Sequence, residues 1–434
     1  MADAAQPMAP PLLLRWQGCF TAPNDGLKRL ELLSGSVLIL LLASLPFVSR
    51  GGLAMEIAAA GALWLLWSLV TPAARIGAIS GWVLLFLAIA LISTGCSPVP
   101  AAAAKGLLKL ISYLGVYALM RKLLDQHSLW WDRLLAALLG GGLLSSVLAL
   151  RQLYASTEEL AGWADPNSVS AGTIRIYGPL GNPNLLAGYL LPLLPLAVVA
   201  CLRWQRLSFR LFAGVTAAMA GAATLFTYSR GGWLGLLAAA GVLGILLLLR
   251  RTAHWPPLWR RVLPLAALLV GALILVVAVT QLEPIRTRVM SLLAGRGDSS
   301  NNFRINVWLA ALEMIQARPW IGIGPGNSAF NLIYPLYQQP GYTALSAYSV
   351  PLELAVETGI PGLLAATGLL FSALRIGLQQ LQRDLVLSLP ALGAAAAVIG
   401  LAGHGVVDTI FFRPEVQISG WFALATLGAA RQLR

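Results

Sequence analysis

Thr227–Arg251 reads TYSRGGWLGLLAAAGVLGILLLLRR. Between Arg230 and Arg250 the nineteen residues 231–249 carry no charge. At a rise of about 1.5 Å per helical residue, such a run covers roughly 28 Å, close to the hydrocarbon thickness of a bilayer. The segment therefore reads as a membrane-spanning helix with one arginine in the turn before it and the pair Arg250 and Arg251 behind it.

The same ruler, moved outward, finds candidate spans at 32–49, 53–70, 76–94, 106–120, 133–150, 185–202 and 211–228. After 231–249 come 262–281, 350–374, 386–403 and 415–431. The fold class expected is an all-α polytopic integral membrane protein of about 12 transmembrane helices, with a large helical periplasmic loop. Composition agrees: of 434 residues, 58% are hydrophobic and 11% charged. A soluble domain carries about 25% charged residues, so this chain lacks the means to clothe a water-facing surface. Mean hydropathy is +0.76 and the pI near 10.2.

The net charge of +13 is spread through short loops rather than gathered in a patch, which is the pattern of membrane topology and not of nucleic-acid binding. With the N-terminus in the cytoplasm, eighteen of the thirty Lys and Arg residues fall in short inner loops. The expected organisation is then a cytoplasmic segment 1–31, a membrane domain 32–281 of about nine spans, a periplasmic loop 282–349 and C-terminal spans 350–434. Residues 151–184 form a second outer loop, and both termini are cytoplasmic. Residues 1–31 show no apolar core followed by a small-residue cleavage site, so the first span is expected to direct insertion. Cys19, Cys96 and Cys201 match no metal or redox spacing and read as packing residues. No metal, nucleotide or other cofactor is expected, and oligomeric state leaves no trace in the sequence.

Candidate chemistry lies in the outer loops. In RIYGPLGNPNLLAGYL, Asn182-Pro183-Asn184 is a helix-start signature, which exposes the positive end of a helix dipole close to Arg175. Arg230 lies in a turn followed by two glycines. In the large loop, a short amphipathic helix is expected from Glu283, and a second helix is capped within Ser299–Asn302 and ends before Pro319. On the second helix Phe303, Val307, Leu312 and Ile315 should pack inward, while Arg304 and Trp308, four apart, share a face. Gly322-Ile323-Gly324-Pro325-Gly326 reads as a tight turn, because no lysine or strand accompanies it to make a phosphate loop. Two readings stand for Arg175, Arg230 and Arg304. They are scattered interfacial arginines, or together they form a pocket for a diphosphate headgroup, which the planar guanidinium suits.

GPLGNPNLLAGYL, YSRGGWLGL, FRINVWLAALEMIQARPWIGIGPGNSAF and LELAVETGIPGLL, in that order over about 170–375, resemble the O-antigen ligase and polymerase (Wzy_C-type) superfamily. Within it the chain most resembles the cyanobacterial IctB family, labelled as bicarbonate transporters. The resemblance implies a helical inner-membrane protein with a large periplasmic loop. In the ligases, a glycan is transferred from a polyprenyl diphosphate to an acceptor lipid, loop arginines bind the diphosphate, and a loop histidine activates the acceptor hydroxyl. Arg230 and Arg304 match the arginine motifs. The histidine is replaced: Tyr348-Ser349 stands where ligases have His-Asn, and a phenol is a poor base near pH 7.

Glu353 and Tyr348 are the remaining candidates for catalysis, Glu353 alternatively being a charge at a helix N-terminus, as is Glu357. His127 and His254 are expected on the cytoplasmic side, and His404 reads as a structural partner of Asp408. Three functions are therefore carried forward. They are an IctB-like role in inorganic carbon accumulation, glycosyl transfer from a polyprenyl diphosphate-linked glycan, and a non-catalytic protein that binds such a lipid or organises a partner. Membrane lipids are expected partners in each, and nucleic acid in none.

Overall fold

The computed structural model describes residues 23–71, 76–154, 175–281 and 295–430, together with 283, 286, 287 and 290. Most of the first outer loop, and of the helix expected from Glu283, lies outside these. The described residues form helices and turns, with no strand among them. In order the helices are α1 (Pro23–Ser44), α2 (Arg50–Val70), α3 (Ala78–Gly95), α4 (Pro100–Gln126), α5 (Leu129–Arg151), α6 (Pro183–Arg203) and α7 (Leu207–Phe226). They continue as α8 (Arg230–Arg251), α9 (Pro257–Gln281), α10 (Ser299–Ala317), α11 (Asn327–Ile333), α12 (Val350–Gln380), α13 (Leu385–Gly405) and α14 (Pro414–Ala429). Among the described residues nine helices are long and apolar enough to cross a membrane: α2 to α8, α12 and α13. The other three expected spans fall on α1, α9 and α14, outside that set.

The molecule is a multi-pass helical membrane protein built around α6 and α13. Their apolar windows are 78% and 72% buried, against 28% for α7 and α8, which places them at the centre of the bundle. Small residues bring α8 against α13. A Cβ added at Gly235 would lie 2.6 Å from the Gly400 carbonyl oxygen, and one at Gly400 would lie 2.8 Å from the Ala239 Cβ. In lipid no hydrophobic effect drives helices together, so association depends on this kind of close backbone approach.

Loops expected on one side of the membrane meet one another. Arg175 Nε donates to the Thr227 carbonyl at 3.0 Å, Asn184 Nδ2 to Asp408 at 2.8 Å, and Arg318 to the Cys96 carbonyl at 2.6 Å. At the opposite end, Arg203 donates to the Val386 carbonyl at 2.7 Å, Arg383 to the Ala430 carbonyl at 2.9 Å, and Trp130 Nε1 to Glu31 at 2.6 Å. These contacts gather at two separate ends of one bundle.

One expected span departs from a plain helix. α12 is broken at Gly359, where φ is 70° and ψ −178°. The carbonyls and N–H groups freed by the break lie inside an apolar region, where each unpaired group costs several kcal/mol. The Gly-rich turn satisfies them. Ile323 and Gly324 donate their N–H groups to the Val356 and Glu357 carbonyls at 2.9 Å each, and Ile360 donates to Pro319 at 2.8 Å. Ser93 Oγ also donates to the Glu357 carbonyl, at 2.7 Å. Gly322, Gly324 and Gly326 have φ of 70°, 99° and 98°, so the segment is the tight turn expected, here acting as a plug for a broken helix.

Candidate functional site

At the end of the bundle that carries this plug, α6 begins at Asn182, whose Oδ1 accepts from the N–H groups of Asn184 and Leu185 at 2.9 and 3.1 Å. This is an N-cap, so Asn182 fixes the start of the helix. Asn184, in the first turn, bridges two charged groups. Its Oδ1 accepts from Arg175 at 2.7 Å and its Nδ2 donates to Asp408 at 2.8 Å. The other Asp408 oxygen accepts from the Thr409 N–H at 2.8 Å, and Thr409 Oγ1 lies 2.7 Å from Ser346 Oγ. Arg175 is therefore tied into a polar network that fastens α6, the turn after α13 and the segment before α12.

Arg230 opens α8 and is buried, 8% exposed. Its guanidinium bonds to Asn301 Oδ1 and, at 3.2 Å, to the fully buried Asp298. Asp298 also caps α10 by accepting from the Asn301 N–H at 3.1 Å, so the cap lies one residue before the expected Ser299–Asn302. A buried aspartate that both caps a helix and pairs with an arginine fixes α10 against α8.

Arg304 sits one and a half turns into α10, half-buried, and its described hydrogen bond is a long one, 3.5 Å to Ser300 Oγ. Burial lowers its pKa. Asp408, Tyr348 and Asp298 favour its charged form, and Arg230 lies near enough to oppose it. An arginine stays charged through such a shift. Of the expected face of α10, Val307 is buried, and Phe303 and Ile315 are partly buried against the same cluster. Leu312 is 45% exposed and does not pack inward as expected. Trp308, four residues from Arg304, has its Nε1 enclosed without a hydrogen-bond partner.

Tyr348 stands at φ 50°, the left-handed region that a bulky side chain rarely adopts. Its ring meets Phe303 edge-on, with centroids 5.5 Å apart. Burial raises its pKa, Asp408 and Glu353 add to the rise, and Arg304 opposes it. The phenol is thus held in its protonated, donating form. Glu353 is 1% exposed, and one carboxylate oxygen accepts from the Ala347 N–H. It clamps the turn carrying Tyr348, and its other oxygen is enclosed without a partner. Tyr228, just before Ser229 and Arg230, has φ 49°, so among the described residues both non-glycine left-handed positions immediately precede site segments. Strain of this kind collects where surrounding structure holds a segment in a functional geometry.

Arg175, Arg230, Arg304 and Tyr348 therefore do lie at one end of the bundle, but on different terms. Arg175 and Arg230 are spent on internal partners, and Arg304 has the weakest described hydrogen bonding of the three. Asp298 and Asp408 escaped the sequence reading as site members. Asp298 was hidden among the small polar residues GDSS, although an aspartate preceding a helix is a cap signal. His404 is fully buried, with neither ring nitrogen bonded. It packs against Gly231, where a Cβ would come within 2.4 Å of its ring, so it does not form the expected bonded pair with Asp408.

Residues 214–367 match the O-antigen ligase family, Wzy_C. The matched region runs from within α7 to within α12 and takes in Arg230, Asp298, Arg304, Tyr348 and Glu353. Arg175, Asn184 and Asp408 fall outside it. The match supports the superfamily named by resemblance, and with it a ligase- or polymerase-type membrane protein. It lends nothing to the closeness to IctB or to bicarbonate transport. No curated protein matches the chain.

Proposed function

We propose that this chain works in the inner membrane, both termini cytoplasmic, and binds the diphosphate of a polyprenyl diphosphate-linked glycan at its outer face for ligase-type transfer. The observation that carries the reading is Arg304, half-buried, with only a long bond to Ser300 among the described residues, and set near Arg230 within the region that matches the O-antigen ligase family. The guanidinium fork matches a phosphate edge, and partial burial strengthens the attraction. Arg230 adds positive potential from behind. Arg175 and Asn184 position the wall through Asp408, and Tyr348 donates its O–H to a phosphate oxygen. In transfer, the bond from the sugar's anomeric carbon to the diphosphate oxygen breaks, one to the acceptor's hydroxyl oxygen forms, and the acceptor's hydroxyl proton passes to the departing diphosphate. Positive charge held at Arg304 stabilises the negative charge growing on the departing diphosphate. Tyr348 and Glu353 do not fit the base. The phenol is held protonated, and Glu353, 1% exposed, is enclosed beneath the turn that it clamps.

Tyr348-Ser349 in place of the ligase His-Asn favours a second reading, the IctB-like role in inorganic carbon accumulation, in which the same arginine would meet bicarbonate. Mass spectrometry of lipids retained by gently purified protein separates the two. Polyprenyl diphosphate kept by the wild type and lost from Arg304→Ala supports the first. Its absence from both, with bicarbonate flux into sealed vesicles, supports the second and overturns the first.

A further inference from the structure

A cavity lies apart from Arg175, Arg230 and Arg304, between α3, α4, α12 and α14, with a volume of about 370 Å³. That is within the range of roughly 300–1,000 Å³ usual for ligand sites. Its walls are apolar and aromatic, with Trp82 and Phe86 from α3, Leu369 from α12 and Trp421 from α14. Three charged side chains line it: Lys105 and Lys109, one turn apart on the same face of α4, and Glu357 of α12. Lys109 Nζ donates to the Phe412 carbonyl at 3.1 Å, which uses one of three ammonium donors. Glu357 is 3% exposed and accepts from the Gly326 N–H, while its Oε1 is enclosed with no hydrogen-bond partner among the described residues. The diphosphate reading of Arg304 uses none of these groups.

We propose that this cavity binds one phospholipid of the membrane, of the phosphatidylglycerol type, with an anionic phosphate and a free headgroup hydroxyl. The two lysines supply charge for the phosphate. Glu357 Oε1 supplies the acceptor for a hydroxyl, which a headgroup lacking one leaves unmet. The apolar wall takes an acyl chain. Charge complementarity excludes a zwitterionic choline headgroup as the preferred occupant, since its ammonium would face Lys105 and Lys109 and it has no hydroxyl for Glu357. The proposal is independent of the reading given to Arg304 and stands or falls separately.

The test uses the full chain reconstituted in phosphatidylcholine vesicles doped with a diazirine-tailed probe, either phosphatidylglycerol or phosphatidylcholine. After irradiation, labelled peptides are mapped by mass spectrometry. The phosphatidylglycerol probe should label the Trp82–Phe86 and Ala366–Leu369 segments in excess over the other probe. Ala366→Trp, which fills the cavity, should abolish the excess. Removing one lysine charge, in Lys105→Gln or Lys109→Gln, should lower it about fivefold, the effect of one basic residue on an anionic lipid. Unchanged elution of each variant on size exclusion checks the fold, and Lys109→Arg should restore labelling. Equal labelling by both probes, or an excess surviving Ala366→Trp, would overturn the proposal and leave ordinary surface lipid.

Discussion

Tyr348 occupies a left-handed backbone position and is anchored by Phe303 and by the Glu353 clamp on Ala347. Its pKa is raised above the ordinary 10.0, chiefly by burial, so the sign of its pH effect follows. The unfolded phenol loses its proton first as pH rises, which favours unfolding. Its contribution is therefore intact below pH 10 and is lost progressively above it. Thermal unfolding in detergent should show wild type and Tyr348→Phe with a constant offset up to pH 10, and a gap shifting in favour of the phenylalanine variant beyond it. A constant offset throughout would place the phenol in water. At Arg304 the geometry of the fork matters as well as its charge. Arg304→Lys should lower diphosphate-lipid retention about tenfold, the value of a lost charge-assisted hydrogen bond, whereas Arg286→Ala should leave it nearly unchanged. Arg286 is exposed and paired with Glu283 at 3.4 Å, so equal losses would mean diffuse surface attraction instead of a site.

At the scale of elements, the broken α12 and its Gly-rich plug are the feature that positions Tyr348 and both buried glutamates. A Cβ at Gly359 would lie 2.6 Å from the Trp320 carbonyl carbon, and one at Gly322 would lie 2.5 Å from the Glu357 carbonyl oxygen. Gly359→Ala and Gly322→Ala should each destabilise the protein by more than the ~1–2 kcal/mol of a left-handed residue alone, because backbone must also shift. Gly341→Ala, at φ 86° with open space around it, should cost only that smaller amount. Similar melting temperatures for all three would mean the plug does not hold the break. Here the sequence reading shows its reach. Apolar runs and arginine-flanked turns specify spans because lipid admits little else. Gly359-Ile360-Pro361 lies inside such a run, and hydropathy alone treats it as one helix, although glycine followed by proline is a breaker signal. Asp408 and Asn184 are 224 positions apart, and no local pattern foretells their bond.

At the scale of the whole molecule, segregation of the loops into two ends follows from side-chain contacts, but which end faces the cytoplasm rests on charge. The end carrying Arg203, Arg250 and Arg383 is the one that basic short loops assign to the cytoplasm. Cysteine offers the test. Cys96 is exposed at the arginine-site end, where its carbonyl accepts from Arg318, and Cys201 lies at the other end near the close of α6. In single-cysteine variants, a membrane-impermeant maleimide added to intact spheroplasts should modify Cys96 and spare Cys201 until the membrane is opened. The reverse pattern would turn the molecule over and put Arg304 on the cytoplasmic side. That outcome would remove the periplasmic diphosphate donor from its reach, so orientation and proposed function are tested together. If Cys96 reacts first, the arginine-site end faces the periplasm and the end carrying Arg203, Arg250 and Arg383 faces the cytoplasm, as inner-membrane insertion and the proposed outer-face transfer both require.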